Sequence, residues 1–456
     1  MPQQKFDAIV IGTGQSGPSL AVRLAKEGQK VAVIERARFG GTCVNTGCIP
    51  TKAMVASARV AYVAKRAADF GVMIEGGVRV DMAKVMARKS EISAQSRTGV
   101  EKWLSTTANC AIFRGHGLFV SDNEVQVGEE VLKASQIFIN VGGRATIPAM
   151  NGLNEVEYLT NSSILEIDFL PGHLIVVGGG YIGLEFGQIF RRFGSEVTIL
   201  QRGISLLNNE DEDVAQGVEA ILRNEGVRVQ LNTGEMGVRK LDDGIEVTGS
   251  GFSVTGTHLL LATGRKPNTD DLGLENTTIK RDSRGFIQVD DELRTTVPGV
   301  WAIGDCNGHG GFTHTSYNDY EIVAANLFES QKRSVRDRKL AYAVFIDPPL
   351  GRVGMTEREV RKSGRKALMA KREMTRVGRA VEKGETQGFM KIMVDAETHR
   401  ILGAAILGTG GDEAIHCVLD LMYADAPYTT LQRAVHIHPT VSELIPTMLG
   451  DLAPLC

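Results

Sequence analysis

The chain has 456 residues and a formal net charge of -3, too long for one hydrophobic core and without the basic excess that a nucleic-acid polyanion attracts. It contains no run of 18 apolar residues and no charged-then-apolar leader, so no membrane span or secretion signal is expected and the expected compartment is the cytoplasm. Six cysteines over such a length do not suit a secreted disulfide scaffold, and in a reducing compartment a close pair reads as redox chemistry.

Residues 6–11 (FDAIVI) read as a buried parallel strand, followed by Gly12-Thr13-Gly14-Gln15-Ser16-Gly17, a helix through Ala21, Leu24 and Ala25, and a second strand (31–34) ending at Glu35. In this strand–helix–strand unit Gly12 makes the tight turn, Gly14 lets a pyrophosphate approach, and Gly17 lets helix and strand pack closely. Glu35 is placed to accept from a ribose 2'-hydroxyl, so the unit predicts dinucleotide binding.

Cys43 and Cys48 lie in GGTCVNTGCIPTK (residues 40–52), ahead of an apolar-periodic segment running from Lys52 to about Phe70. A glycine-rich turn feeding a helix can hold two Cα atoms at the roughly 4.4–6.8 Å a disulfide needs. A helix N-terminus also stabilises a thiolate. A structural disulfide or two quiet buried thiols fit the spacing as well. A zinc site fits less well, since four ligands are wanted and two are local.

A helical segment over 81–107 precedes a small strand system, in which 111–117 (AIFRGHG) and 134–143 (ASQIFINVGG) each run from apolar residues into glycine. His116 there reads as a polar turn residue, with a ligand contact as the alternative. The nucleotide pattern then recurs: strand 174–177, Gly178-Gly179-Gly180-Tyr181-Ile182-Gly183, helix 184–193 and strand 197–200. At the place of Glu35 this second unit has Gln201, followed by Arg202. The carboxylate that would repel a 2'-phosphate is absent and a cation stands beside the vacancy, which favours NADPH with NADH as the alternative.

Two dinucleotide units with a cysteine pair between them suggest a flavin at the first, a nicotinamide at the second, and hydride passing from one through the other to a disulfide. Tyr181 is placed to cover the flavin, and Glu185 to pair with Lys52, a cation that would favour reduced flavin. Residues 258–268 end this unit at Gly264. Residues 299–305 return as a strand whose final Asp305 can bind a ribitol hydroxyl, and a helix is expected from roughly 317 to 328. Cys306 reads as a packed thiol, and 331–339 as a charged linker. The remainder is strand-rich (342–346, 388–394, 401–407), with helical patterns flanking Pro427. His438, before a proline, and Glu443 read by themselves as a capped helix start with a buried histidine; beside a redox disulfide they offer an imidazole base and a carboxylate to orient it.

With these motifs in order along nearly the whole chain, the sequence resembles the class I pyridine nucleotide–disulfide oxidoreductases. The resemblance implies an α/β fold of two Rossmann-like units, for FAD and NAD(P), plus a C-terminal α+β dimerisation domain. The implied division is 1–150 and 281–338 for FAD, 151–280 for NAD(P), and 339–456 for dimerisation. It also implies a homodimer with active sites shared between subunits, His438 and Glu443 of one serving Cys43 of the other. Cys43 would be the interchange thiol and Cys48 the thiolate that contacts flavin. Thr42 and Gly117 would join the FAD contacts, and Gly264 those of the nucleotides.

Within the family the features divide. Glutathione reductases share Tyr181 and Arg202 but add a cation where this chain has Asn208. Dihydrolipoyl dehydrogenases share Cys48-Ile49-Pro50 and the His436-x-His438-Pro439-Thr440 pattern but carry an acid at the place of Gln201. Mercuric reductases share Gly14-Gln15-Ser16-Gly17 yet lack the His438–Glu443 base and end in two adjacent cysteines, where this chain has Cys456 alone. The first half also resembles bacterial flavoproteins that reduce reactive-halogen products such as hypothiocyanous acid. Asn140-Val141-Gly142-Gly143 departs from the family's Ala-Thr-Gly ending of that strand. The leading expectation is an NADPH-dependent FAD enzyme reducing a small disulfide or sulfenyl-type acceptor, without nucleic-acid, membrane or metal partners. Dihydrolipoyl dehydrogenase, mercuric reductase and a redox-sensing flavoprotein without turnover are the alternatives.

Overall fold

The computed structural model describes residues 3–455. Cys456, the lone terminal thiol singled out above, lies outside them. The strand Ala8–Ile11 is buried at every residue and sits mid-sheet, as a near-continuous apolar run requires. It pairs in parallel with Val31–Glu35 on one side and Gln136–Ile139 on the other. Cys110–Arg114 and Val300–Ala302 form the sheet's edges, so a strand from far along the chain completes the first unit.

The second unit repeats the plan. His173–Val177 lies between Glu196–Leu200 and His258–Leu261, again parallel, with Arg228–Gln230 outermost. The rest is an antiparallel sheet of six strands in the order Ala341–Val344, Leu350–Gly354, Ile401–Leu407, Phe389–Asp395, Ala367–Glu373, Ala453–Pro454. Its two central strands are buried throughout.

The helix Cys48–Lys65 joins these layers. Met54 and Ala58 share a core with Leu184 and Phe186 of the helix Tyr181–Phe193 and with Val344 and Leu407 of the antiparallel sheet. Ion pairs reinforce the junction: Arg352, fully buried, contacts Glu210 and Asp211, and Lys391, also buried, contacts Asp211, Asp213 and Glu357. Among the described residues no helix is long and apolar enough to cross a membrane.

Three expected boundaries shift. The redox helix ends at Lys65, and Ala67–Phe70 is a separate turn. The returning strand stops at Ala302, because Gly304 takes φ +75° and opens a 3₁₀ turn, Gly304–Asn307, that carries Asp305. The following helix begins at Thr313, four residues earlier than the apolar pattern suggested. A polar first turn, Thr313-His314-Thr315-Ser316, hides this start from hydrophobic periodicity.

Candidate active site

The cysteine loop is built on glycine and one asparagine. Gly40 and Gly41 hold φ of +91° and +61°, and a Cβ on Gly41 would stand 2.8 Å from Gly14 Cα, so glycine lets this loop lie against the first dinucleotide turn. Asn45 Nδ2 donates to the carbonyls of Phe39 (2.8 Å) and Gly41 (2.9 Å), tying the short helix Gly41–Asn45 that carries Cys43. Cys48 is the first residue of the next helix.

Both cysteines are free thiols, the reduced form of the pair. Cys48 Sγ lies 3.1 Å from the hydroxyl of Thr313, itself the first residue of the helix Thr313–Phe328. The sulfur therefore sits at the N-termini of two helices, where negative charge is favoured. The hydrogen bond from Cys43, helped by Thr313 and the Lys52 charge against the cost of burial, brings the Cys48 thiol down to about 6. The same hydrogen bond to Cys48, together with burial, pushes the Cys43 thiol up. This asymmetry favours the negative charge on Cys48 and the proton on Cys43. Lys52, one turn beyond Cys48, pairs with Glu185 at 2.7 Å, and Glu185, only 3% exposed, also accepts from the Phe345 amide at 3.0 Å.

One cavity of about 860 Å³ gathers Gly12, Gly14, Glu35, Thr42, Cys43, Cys48, Lys52, Gly117, Tyr181, Glu185 and Asp305. Its residues suit an elongated flavin dinucleotide. A Cβ on Gly12 would meet the Asn140 carbonyl oxygen at 2.4 Å, and one on Gly17, behind the wall, the Gly12 carbonyl oxygen at 2.3 Å. Only glycines permit this backbone, which opens the N-terminus of the helix Ser16–Lys26 toward the cavity. Glu35 is held in place by the Thr13 amide (3.0 Å), the Thr13 hydroxyl (2.5 Å) and the Ala37 amide (2.8 Å). These bonds leave carboxylate lone pairs for a hydroxyl. Burial raises the Asp305 carboxyl while neighbouring Arg265 opposes the rise. Tyr181 begins its helix with its ring 5.8 Å from Phe312, and burial lifts its hydroxyl to about 12.

The second glycine loop stands apart from this cavity and touches it through Tyr181 and its helix. A Cβ on Gly178 would meet the Ala262 carbonyl oxygen at 2.3 Å and one on Gly183 the Gly178 carbonyl oxygen at 2.1 Å, whereas one on Gly180 meets nothing within 4 Å. That open face ahead of a helix N-terminus suits a pyrophosphate. Gly264 takes φ +122° just past the strand His258–Leu261, outside the cavity. Gln201 accepts from the Gly179 amide (3.0 Å), and its own amide group donates to the Ser205 carbonyl (3.1 Å) and Asn208 Oδ1 (3.2 Å). It therefore braces the 201–208 loop. Arg202 is exposed, and among the described residues no carboxylate pairs with it.

His438 and Glu443 bond each other, Nδ1 to Oε2 at 2.9 Å, but do not line the cavity that holds Cys43. The His438 side chain is 80% exposed, and nearby Val435 and Ile437 stand 99% and 80% exposed. Within one chain His438 and Cys43 are not brought together. Cys306 is buried, and its thiol is pushed up to about 12 by burial, as a packed thiol would be. His116 sits in a turn, its Nε2 contacting the Asp271 carbonyl at 2.5 Å, and it also lines the central cavity, where it can meet a ligand.

Sequence reading missed Thr313, and it flagged Asn140 as unusual without giving it a role. Thr313 was available as a polar residue ahead of an apolar helix. Asn140 buries its side chain in the first loop, accepting from Ser16 Oγ (2.9 Å) and donating to the Gly12 carbonyl (3.2 Å), which explains the unusual strand ending.

Comparison with known proteins agrees with this architecture. The family described as pyridine nucleotide-disulphide oxidoreductase matches residues 6–321, and its dimerisation domain matches 340–449. The chain is 36% identical to the probable pyridine nucleotide-disulfide oxidoreductase RclA of Escherichia coli K12, over 99% of each chain. It is 31% identical to a mercuric reductase of Streptomyces lividans (99% of this chain, 98% of the relative) and 33% to a dihydrolipoyl dehydrogenase of Cupriavidus necator (97% of each). A solved Cu(II) complex of the HOCl-induced flavoprotein disulfide reductase RclA from Escherichia coli superposes with a TM-score of 0.91 at 35% identity, covering 98% of this chain and 99% of that one.

Proposed function

Since the chain belongs to the pyridine nucleotide-disulphide oxidoreductases, as an FAD- and NAD(P)H-dependent enzyme of disulfide chemistry, we propose that it takes hydride from NADPH in preference to NADH and reduces a small disulfide or sulfenyl-type acceptor. The observation that carries this reading is the polarised cysteine pair, a Cys48 thiolate at two helix N-termini beside a protonated Cys43.

FAD would be held by Gly12, Gly14, Gly17, Glu35, Thr42, Gly117 and Asp305, with Lys52 supplying positive charge and Tyr181 a cover. When bound, the flavin relays two electrons from the nicotinamide to the cysteine pair. NADPH would be held by Gly178, Gly180, Gly183 and Gly264, with Gln201 shaping the loop and Arg202 meeting the 2'-phosphate. The neutrality of Gln201 and the unpaired guanidinium support NADPH.

With the pair reduced, Cys43 loses its proton and attacks the acceptor sulfur, forming a mixed disulfide as the leaving group departs and is protonated. The Cys48 thiolate then attacks Cys43 Sγ, releasing the second product and closing the Cys43–Cys48 disulfide. His438, oriented by Glu443, would carry the protons for Cys43 of the partner subunit. The matched dimerisation domain and the exposed 435–438 segment support this sharing. We assign residues 1–150 and 281–338 to the FAD unit, 151–280 to the NAD(P) unit and 339–456 to dimerisation. The return of Val300–Ala302 to the first sheet supports that division.

The E. coli relative is an HOCl-induced flavoprotein disulfide reductase, which supports acceptors produced by reactive halogens. Its Cu(II) complex and the mercuric reductases among the relatives favour a second reading, a soft metal ion taken by the paired thiolates. An anaerobic comparison of NADPH and NADH as reductants, followed by an acceptor panel of small disulfides, lipoamide, hypothiocyanous acid, Cu(II) and Hg(II), tests both. The proposal expects NADPH with a disulfide or sulfenyl acceptor to give the highest kcat/KM. Turnover confined to a metal ion would replace it with the second reading.

A further inference from the structure

A second cavity, of about 420 Å³, opens beside the cysteine loop between the 37–45 segment and the helix Met82–Ser105. Four cations line it, Arg38, Lys89, Arg97 and Arg114, against two acids, Glu101 and Glu166. The acids are already engaged: Glu101 pairs with Arg114, and Glu166 stands 4.0 Å from Arg38. Arg97 is left without a carboxylate among the described residues, its recorded contact being to Asn45 Oδ1 at 3.4 Å.

Two buried groups make this a formed site and not a solvated basic face. Lys89 is 5% exposed and uses one ammonium proton on the Leu165 carbonyl at 2.6 Å, so its other protons await acceptors. Ser93, one turn further along the same helix and 7% exposed, has a buried hydroxyl with no hydrogen-bond partner. A buried hydroxyl left unpaired is unfavourable and marks a place for a ligand atom.

We propose that this cavity binds a phosphate-class oxyanion, held by Arg97, Lys89 and Ser93 and screened by Arg38 and Arg114. The donors are a guanidinium, an ammonium and a hydroxyl on separate residues. A tetrahedral oxyanion offers them three or more oxygens, where a carboxylate offers two. The site shares Ala37, Arg38 and Asn45 with the wall of the central cavity, so its ligand braces the loop that carries Cys43.

Inorganic phosphate titrated calorimetrically into the FAD-loaded homodimer tests the site, with thermal unfolding as a second readout. Saturable binding is expected, weakened about tenfold or more by Arg97→Met, the scale of a charge-assisted contact, and several-fold by Ser93→Ala. Phosphate should raise Tm in the wild type and raise it less in both variants. Ser93→Ala removes a hydroxyl that bonds nothing in the protein, so it keeps the test sound should Arg97→Met fold poorly. Phosphate also resembles part of NADPH, and Arg202→Ala serves as the control. Binding lost in Arg202→Ala but kept in Arg97→Met and Ser93→Ala belongs to the nicotinamide site and overturns the proposal. Absence of binding to the wild type, or equal affinity for acetate, overturns it as well.

Discussion

Thr13 and Gly179 occupy matching places in the two glycine loops, and each gives its amide to the side chain 22 residues further on, at 3.0 Å in both cases: Thr13 to Glu35 and Gly179 to Gln201. The tight turns match too. A Cβ on Gly12 or Gly178 would meet the carbonyl oxygen just past the neighbouring strand, that of Asn140 or Ala262, at 2.4 or 2.3 Å. Glycine and strand order thus set the loop twice, independently of what it binds. Two of the side-chain differences matter most. Glu35 brings a charge where Gln201 is neutral, and Asn140 fills with hydrogen bonds a space that Ala262 leaves open.

The comparison breaks most sharply at the third glycine of each loop. A Cβ on Gly17 or Gly183 would meet a backbone oxygen at 2.3 or 2.1 Å, which no rotamer relieves. Gly17→Val should abolish FAD retention and with it all turnover. Gly183→Val should keep FAD, while NADPH-driven flavin reduction in stopped flow falls by more than about 100-fold, the scale of an ångström's misplacement. Loss of FAD from Gly183→Val at an unchanged fold would contradict the division of labour.

A change outside both loops sharpens the contrast. His438→Ala should cut acceptor turnover by about 10²–10⁴-fold, the scale of losing a positioned proton carrier, with flavin reduction near wild type. If flavin reduction slows in parallel, His438 is not a base for the thiol step.

The charge difference predicts a smaller effect. Arg202→Ala should raise KM for NADPH by about 10–100-fold, the worth of a charge-assisted contact, with little change for NADH. Gln201→Glu should move preference toward NADH. Equal losses with both nucleotides would remove the argument for NADPH.

Much of this was legible in the sequence because it is written in local pattern. Gly12, Gly14, Gly17 and Glu35 fall within one strand–helix–strand unit, as do Gly178, Gly183 and Gln201; the Lys52–Glu185 pair, 133 positions apart, is expected only because both residues lie near helix starts beside the cysteine and nucleotide turns. What was not legible depends on contacts between distant segments. Thr313 reaches Cys48 across 265 positions, and Asn140 enters the first loop across 128. His438 is a different case, since within one chain it lies away from the cavity that holds Cys43.

The smallest expected effect concerns the second side-chain difference. Asn140→Ala gives the first loop the ending of the second and should cost about 1–3 kcal/mol, because the Gly12 carbonyl loses a buried partner. FAD should stay bound, and Tm of the loaded protein should fall. A variant as stable as wild type would mean the asparagine adds nothing to the loop.

The central claim is that electrons reach the acceptor through a Cys48 thiolate beside the flavin and then through Cys43. The anaerobic absorption spectrum of Cys43→Ser set against Cys48→Ser tests it most directly. Lowering of the Cys48 thiol to about 6 keeps the thiolate above that pH and lets it protonate below. Serine at 43 keeps a hydroxyl donor, whereas Cys43→Ala removes the hydrogen bond that contributes most to the lowering, so the midpoint should rise in Cys43→Ala and stay closer to wild type in Cys43→Ser. We predict a long-wavelength thiolate-to-flavin band in NADPH-reduced wild type and in Cys43→Ser, fading as pH falls, and no band in Cys48→Ser with FAD still bound. A band that survives in Cys48→Ser and vanishes in Cys43→Ser would reverse the two roles and contradict the account.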